Sequence, residues 1–212
     1  YFEAHPECSI VSVPWALSDN PSRCMFDLDR VRADGGLIAN PVARLASGDL
    51  FLITSSIMFQ REKAAGLRYA EHRPCFEDHP FQIPLFGRGP AAVAGDRILM
   101  VYRVHAANTS KQAAYWYHGQ RIMRALDRAG HFDAVGQERA DLLRFFAKFG
   151  RSAVMWQLLG GRRLRAAALY TQEFAHQARE RRLKFLSAFP LLLLLPVPVV
   201  RRVWGVPPTA AR

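Results

Sequence analysis

Cysteine is scarce. The chain has three in 212 residues, Cys8, Cys24 and Cys75, with no C-x-x-C spacing and no histidine pair beside them. That excludes a zinc ribbon and a disulfide scaffold and implies a reducing compartment. No run of about 18 apolar residues is unbroken, which excludes a simple membrane-spanning helix. The first residues show neither the charged nor the apolar region of a secretory signal. The chain opens on Tyr1 in the middle of a pattern, so it is expected to be a piece of a longer protein. There is no internal repeat, and no low-complexity tract apart from a leucine run near the end. Acidic residues are outnumbered, 18 against 29 Lys and Arg, for a net charge of +11. Half of the residues are hydrophobic, which excludes whole-chain disorder and collagen, and the length suits one domain or one and a half.

The charge is uneven. Residues 1–100 carry 10 Lys/Arg and 12 Asp/Glu, a net of −2, whereas residues 101–212 carry 19 and 6, a net of +13. The basic character belongs to the second half and points to a polyanionic partner there: a membrane surface, nucleic acid or phosphates.

Cys8–Trp15 (CSIVSVPW) alternates, is β-branched and reads as a strand, and Asn20-Pro21-Ser22 as a turn. Asp49–Phe59 (DLFLITSSIMF) reads as a strand leading into a small polar turn. Gln60–Gly66 reads as a short helix ending at a glycine, and Arg97–His105 (RILMVYRVH) as a strand. From Lys111 the spacing turns helical. Helices are expected over Ala113–Ala129, from Phe132 to Phe149, and from about Gly161 to Ala188. In the last, Leu164, Ala168, Phe174, Ala178, Leu183 and Leu186 are expected to share one side. The apolar run from Phe185 to Val200 is broken by Pro190, Pro196 and Pro198. Strands followed by helices predict a mixed α/β core and then a basic α-helical extension.

Two segments carry candidate chemistry. In FEDHPF, Glu77 and Asp78 precede Pro80. Proline suits a first helical turn and carboxylates suit the positive end of the helix dipole, so an acidic helix start accounts for the pair. The other reading is a carboxylate held at a pocket rim as a general base, and from spacing alone the helix start is the better account. In YRVHAANTS, Arg103 and His105 lie on one face at a strand exit. Such a pair can clamp a diphosphate, and an imidazole can bind a metal; a solvated strand end has the same look. Asp27-Leu-Asp29 matches D-x-D as a string and reads as a surface pair. The other histidines form no site. Tyr115-Trp116-Tyr117 suits helix packing better than sugar stacking.

In order, SSIMFQREKAAGLRYAEHRPCFEDHPFQIPLF and then ILMVYRVHAANTS resemble the second half of a family-two inverting glycosyltransferase of the GT-A fold. The shared features are a small polar S-S-x-M-F stretch after a strand, a G-L-x-Y segment, an acidic E-D-x-x-F helix start, and a strand ending in Y-R-x-H. The opening YFEAHPECSIVSVP resembles the segment after that family's metal-binding D-x-D. The resemblance covers residues 1–110. It implies a partial GT-A core, a Rossmann-like nucleotide-sugar transferase fold lacking its N-terminal half, which would precede Tyr1. It further implies Asp78 as the general base with Glu77 beside it. Arg103 and His105 would meet the nucleotide diphosphate or its metal, with His105 as a metal ligand, and Ser55 and Ser56 would line the acceptor side. The cofactor would be a divalent ion, Mg or Mn, held mostly by the missing D-x-D. The partners would be a nucleotide-sugar donor and a glycan or lipid-linked acceptor, in cell-surface polysaccharide synthesis. Pro84 departs from the pattern and predicts a short or kinked helix after the acidic pair. Without a donor half, the chain alone is expected to be inactive.

The expected organisation is an acceptor-side transferase half over 1–110, a basic helical extension over 111–188 and a Pro/Leu-rich apolar tail over 189–212. Arg162, Arg163, Arg165, Arg179, Arg181, Arg182 and Lys184 lie beside the apolar run, with Arg201, Arg202 and Trp204 after it. A basic amphipathic helix beside an apolar stretch suits a membrane surface, which predicts a cytoplasmic protein peripheral to the inner face of the cell membrane. A solvated helical cap on the core is the plainer account of the same residues. The alternative function is a non-enzymatic basic module binding a membrane surface or nucleic acid. Nucleic acid is not expected, because the arginine-rich part lacks interleaved aromatics and a recognition-helix motif.

Overall fold

The first apolar run makes two strands rather than one. In the computed structural model, which describes residues 1–29, 35–69, 78–105, 108, 110, 112–133 and 137–204, β1 (Ile10–Ser12) and β2 (Trp15–Leu17) lie in different sheets. Pro14 divides them because it has no N–H to give to a ladder. Val13 donates its N–H to Ser56 at 2.9 Å on the first sheet, and the Pro14 carbonyl accepts from Leu99 at 2.9 Å beside the second.

The first sheet has the order β4 (Leu37–Ile38), β6 (Ala91–Val93), β1, β5 (Ile57–Phe59). β1 and β6 are parallel, and the other two pairings are antiparallel. The second sheet has the order β3 (Asn20–Cys24), β2, β7 (Met100–Tyr102), with β2 and β7 parallel. The expected turn at Asn20-Pro21-Ser22 lies inside β3 instead. Pro21 is tolerated there because β3 is an edge strand, whose outward N–H positions need no partner. Parallel and antiparallel pairings beside long helices make this a mixed α/β protein.

The chain divides into two units. One holds residues 1–104 and 126–142, the other 105–125 and 143–212. Residues 126–142 thus group with the strands, and 189–204 with the helices before them.

In the first unit, Trp15 is buried at the centre. Its indole N–H donates to the Phe51 carbonyl at 3.1 Å, and its ring meets Phe51 and Tyr102. Helix α1 (Pro41–Ser47) begins as its sequence dictates. The Asn40 side-chain oxygen accepts the Ala43 N–H at 3.0 Å, proline occupies the first turn, and Gly48 closes the helix at φ 96°. The Asn40 amide then donates to the buried carboxylate of Asp141 at 2.9 Å. Helix α2 (Asp78–Phe86) is short, as expected, yet it runs through Pro84. A proline at 84 leaves the carbonyl of residue 80 without its helical donor. His131 supplies one: its ring Nε2 donates to the Pro80 carbonyl at 2.9 Å.

Helices α3 (Ala113–Arg128) and α4 (Gln137–Leu159) are each shared between the units. α4 is longer than the expected Phe132–Phe149, because nothing stops it before Gly160-Gly161. In the second unit, the single helix expected over 161–188 is two, α5 (Arg163–Arg179) and α6 (Leu183–Leu194), followed by α7 (Val197–Trp204).

The turns before α5 and α6 are the same motif, 20 residues apart. Arg162 donates to Gln157 and Gly161 to Leu158; Arg182 donates to Gln177 and Arg181 to Ala178, all at 2.9 Å. The left-handed position is Gly161 (φ 77°) in the first and Arg181 (φ 52°) in the second. A residue with a Cβ costs about 1–2 kcal/mol there. No glycine or proline marks this break, which explains why the spacing reads straight through it.

The buried face of α5 is also not the expected one. Leu164 is 88% exposed and Leu183, at the start of α6, 69%, while Ala166, Leu169, Glu173 and Gln177 are buried. The inward carboxylate of Glu173 accepts from Gln120 and forms an ion pair with Arg124 at 2.9 Å. Gln177 donates to the Ala147 carbonyl at 2.6 Å. Gly150 gives Glu173 room: a Cβ there would lie 2.3 Å from its Oε2. Trp116 stacks on Trp156 and leans on Phe149, so the aromatic triplet serves packing. Helix α6 contains Pro190, which frees the Leu186 carbonyl as Pro84 frees Pro80. The Tyr170 hydroxyl donates to it at 2.7 Å. Arg201 points inward, with Nε and Nη2 on the Leu159 carbonyl at 3.2 and 3.0 Å. A cation there suits the negative end of α4.

Candidate functional site

Asp78 begins α2 with its side chain 22% exposed. Its Oδ1 accepts the backbone N–H of His79 at 2.9 Å and meets the His79 ring Nδ1 at 3.0 Å. Burial pushes the Asp78 carboxyl upward. The charge of His79, its ring hydrogen bond and two backbone N–H groups outweigh that, so the acid titrates below the usual aspartate range. The group is therefore a carboxylate at neutral pH. Among the described residues Oδ2 accepts no hydrogen bond, so one oxygen is fixed and the other is available.

An aromatic cluster follows Asp78 on α2. Phe81, one turn on, is buried, stacks on Tyr69 with ring centres 4.3 Å apart, and meets Phe59 of β5 edge-on at 5.0 Å. β5 follows the short 3-10 turn Thr54–Ser56, which holds Ser55 and Ser56. Ser55 is exposed. Ser56 is buried and shares a hydrogen bond with the Ser12 hydroxyl at 3.1 Å, while also donating to Ile53 at 2.9 Å. Its hydroxyl serves the turn that positions Ser55. Gln82, four residues after Asp78 on α2, is buried and its amide nitrogen has no partner among the described residues.

Arg103 is exposed and follows β7 at the carboxyl end of the parallel β2–β7 pair. Its neighbours are fixed: Ser18 donates its N–H to the Tyr102 carbonyl at 2.9 Å and accepts the Val104 N–H on its hydroxyl at 2.8 Å. His105 is exposed and starts the other unit, where its N–H donates to the buried Asn108 side chain. The strand ends three residues earlier than expected, and Arg103 and His105 belong to different units. Glu77 lies outside the described residues. Among the described residues no group of three or more His, Cys, Asp or Glu side chains could hold a metal ion. Among the described residues His105 is not part of such a group. Asp27 is exposed, as is Asp29.

His79 is the residue the sequence reading passed over. It stands inside FEDHPF, and the signal was its adjacency to Asp78: a ring nitrogen that can bind the carboxylate one residue before it. No helix among the described residues is long and apolar enough to cross a membrane. No family model, no curated protein and no solved structure matches the chain.

Proposed function

We propose that residues 1–110 form the acceptor-side half of an inverting glycosyltransferase of the GT-A type, with Asp78 as general base. The observation that carries this is the Asp78 carboxylate: ionised, half fixed by His79, with Oδ2 available at a helix start. A general base must be ionised and within hydrogen-bond reach of the proton it takes. In the proposed step Oδ2 takes the proton of the acceptor hydroxyl as that oxygen attacks the anomeric carbon. The bond from that carbon to the donor's diphosphate breaks, and the nucleotide diphosphate leaves with the electron pair. His79 is a positioning residue: it keeps Asp78 charged and aimed. Arg103 offsets charge on the departing diphosphate, the electrostatic term that is usually largest. Ser55 contacts the acceptor. The acceptor is a glycan or a lipid-linked sugar, and the donor is a nucleotide-sugar.

The basic helices suit contact with an anionic membrane surface. Leu183, Leu191 and Leu194 are 65–78% exposed near Arg181, Arg182 and Lys184. Exposed apolar side chains among cations bind a headgroup boundary by burial and attraction together.

The test is transfer from a panel of nucleotide-sugars by the longest open reading frame that contains this chain. Asp78→Asn should lower kcat by at least 100-fold while the protein stays folded at pH 7, since a positioned base contributes about 10²–10⁴-fold. Equal turnover by Asp78→Asn overturns the assignment. Transfer by the 212-residue chain alone would show that no separate donor half is needed.

A further inference from the structure

Helices α4, α6 and α7 line an open pocket of about 660 Å³ that lies wholly within the second unit. Four cations line it: Arg151, Arg181, Arg182 and Lys184. Its other wall is apolar, with Phe185, Phe189, Leu192 and Trp204. The volume is that of a small-molecule site.

The cations are not compensated. The acidic side chains of α5 and of the turn after it are engaged elsewhere, Glu173 with Arg124 and Glu180 with Arg144. Among the described residues none of the four meets a carboxylate; Arg151 has only the Gln177 amide, at 3.3 Å. Burial, and then the charge of Arg182, lower the pKa of Arg151, so these two guanidiniums are close enough to repel. The start of α6 opens on the same pocket. Its N-cap residue Arg182 makes no side-chain capping bond, and the first-turn amides are donors without helical acceptors. The backbone is held there at a cost, because Arg181 occupies the left-handed position that glycine fills in the matching turn.

We infer that this pocket binds one molecule of a long-chain phosphate monoester, its phosphate among Arg151, Arg181, Arg182 and Lys184 and its hydrocarbon along Phe185 and Leu192. Guanidiniums grip phosphate in pairs, and a dianionic monoester answers four cations better than a diester does. The site is independent of the transferase assignment. It differs from general membrane contact in requiring a pocket and a particular headgroup.

Calorimetric titration of the 212-residue protein with decyl phosphate, below its micelle concentration, tests this. One-to-one binding is expected, with inorganic phosphate and decanol each at least tenfold weaker. Arg182→Gln, on an exposed side chain, should weaken binding about tenfold without changing the melting temperature. Arg181→Gly should also weaken it, several-fold, while raising the melting temperature, so loss of binding cannot be loss of fold. Equal binding of inorganic phosphate overturns the apolar part, and equal binding of decanol overturns the phosphate part. Unchanged affinity in both variants overturns the site. Vesicles containing phosphatidate or phosphatidylserine at equal charge separate the sources. Preference for phosphatidate that Arg182→Gln removes supports the pocket; equal binding of both, indifferent to Arg182→Gln, leaves surface attraction alone and overturns it.

Discussion

His131 donates its ring N–H to the carbonyl of Pro80, the acceptor that Pro84 cannot serve. Leaving a buried acceptor unpaired costs about 1–3 kcal/mol. His131→Phe should therefore lower stability by about that amount in denaturant melts. Pro84→Ala restores a backbone N–H at the right place. In the Pro84→Ala background His131→Phe should cost much less, and a double-mutant cycle reads the difference as coupling. Equal costs in both backgrounds would detach His131 from the proline.

Tyr170 does the same for Leu186, which Pro190 abandons. Tyr170→Phe removes only the hydroxyl, so its cost of about 1–3 kcal/mol isolates the bond. Burial raises the Tyr170 phenol above its usual value. A group raised by folding contributes stability below its unfolded pKa, of about 10, and loses it as pH climbs through the folded value. The wild type should lose its advantage over Tyr170→Phe above pH 10 and keep it at pH 9.

Asp78 has the opposite sign. Its carboxyl titrates lower in the fold than free aspartate because His79 and the backbone amides outweigh burial. Its contribution is complete above the unfolded value, about 3.9, and disappears as pH falls through the folded value. Melting temperatures from pH 6 to pH 2 should fall more steeply for the wild type than for Asp78→Asn. Parallel curves would show that the carboxylate gains nothing from folding.

Gly150 sits inside α4, where alanine is ordinarily worth about 1 kcal/mol more to a helix. Here Gly150→Ala should destabilise, by about 1–3 kcal/mol, because the new Cβ meets the Glu173 carboxylate. Glu173→Gln should be costly as well, since it removes the charge that Arg124 faces. A stabilised Gly150→Ala would mean that Glu173 moves aside freely.

What the sequence disclosed depended on where polar groups point. The mixed class, α3 and the acidic helix start were legible, because apolar spacing, Gly130 and the Asp78/Pro80 pair each have a local cause. The face of α5 was not. Glu173 and Gln177 are turned inward, satisfied by Gln120, Arg124 and the Ala147 carbonyl, all distant in sequence. The break at Arg181 was hidden because a residue with a Cβ holds a conformation that glycine normally advertises. Pro14 and Pro21 were visible, but their effect depends on which neighbours pair and which strand lies at an edge. At the candidate site Asp78 was singled out, whereas the burial of Ser56 follows from a hydroxyl on β1 that no spacing announces.

The two parallel pairings, β1 with β6 and β2 with β7, join chain segments far apart. Between the first pair, Ser9 already binds the Gly89 carbonyl 80 residues on. Ties in the helical unit are nearer: Tyr170 reaches Leu186 across 16 residues. Closing a long loop is slow and must precede the contacts that reward it. The helices should therefore regain their native pairings early in refolding, and the rate of the whole chain should be set by the meeting of its tenth and ninetieth residues.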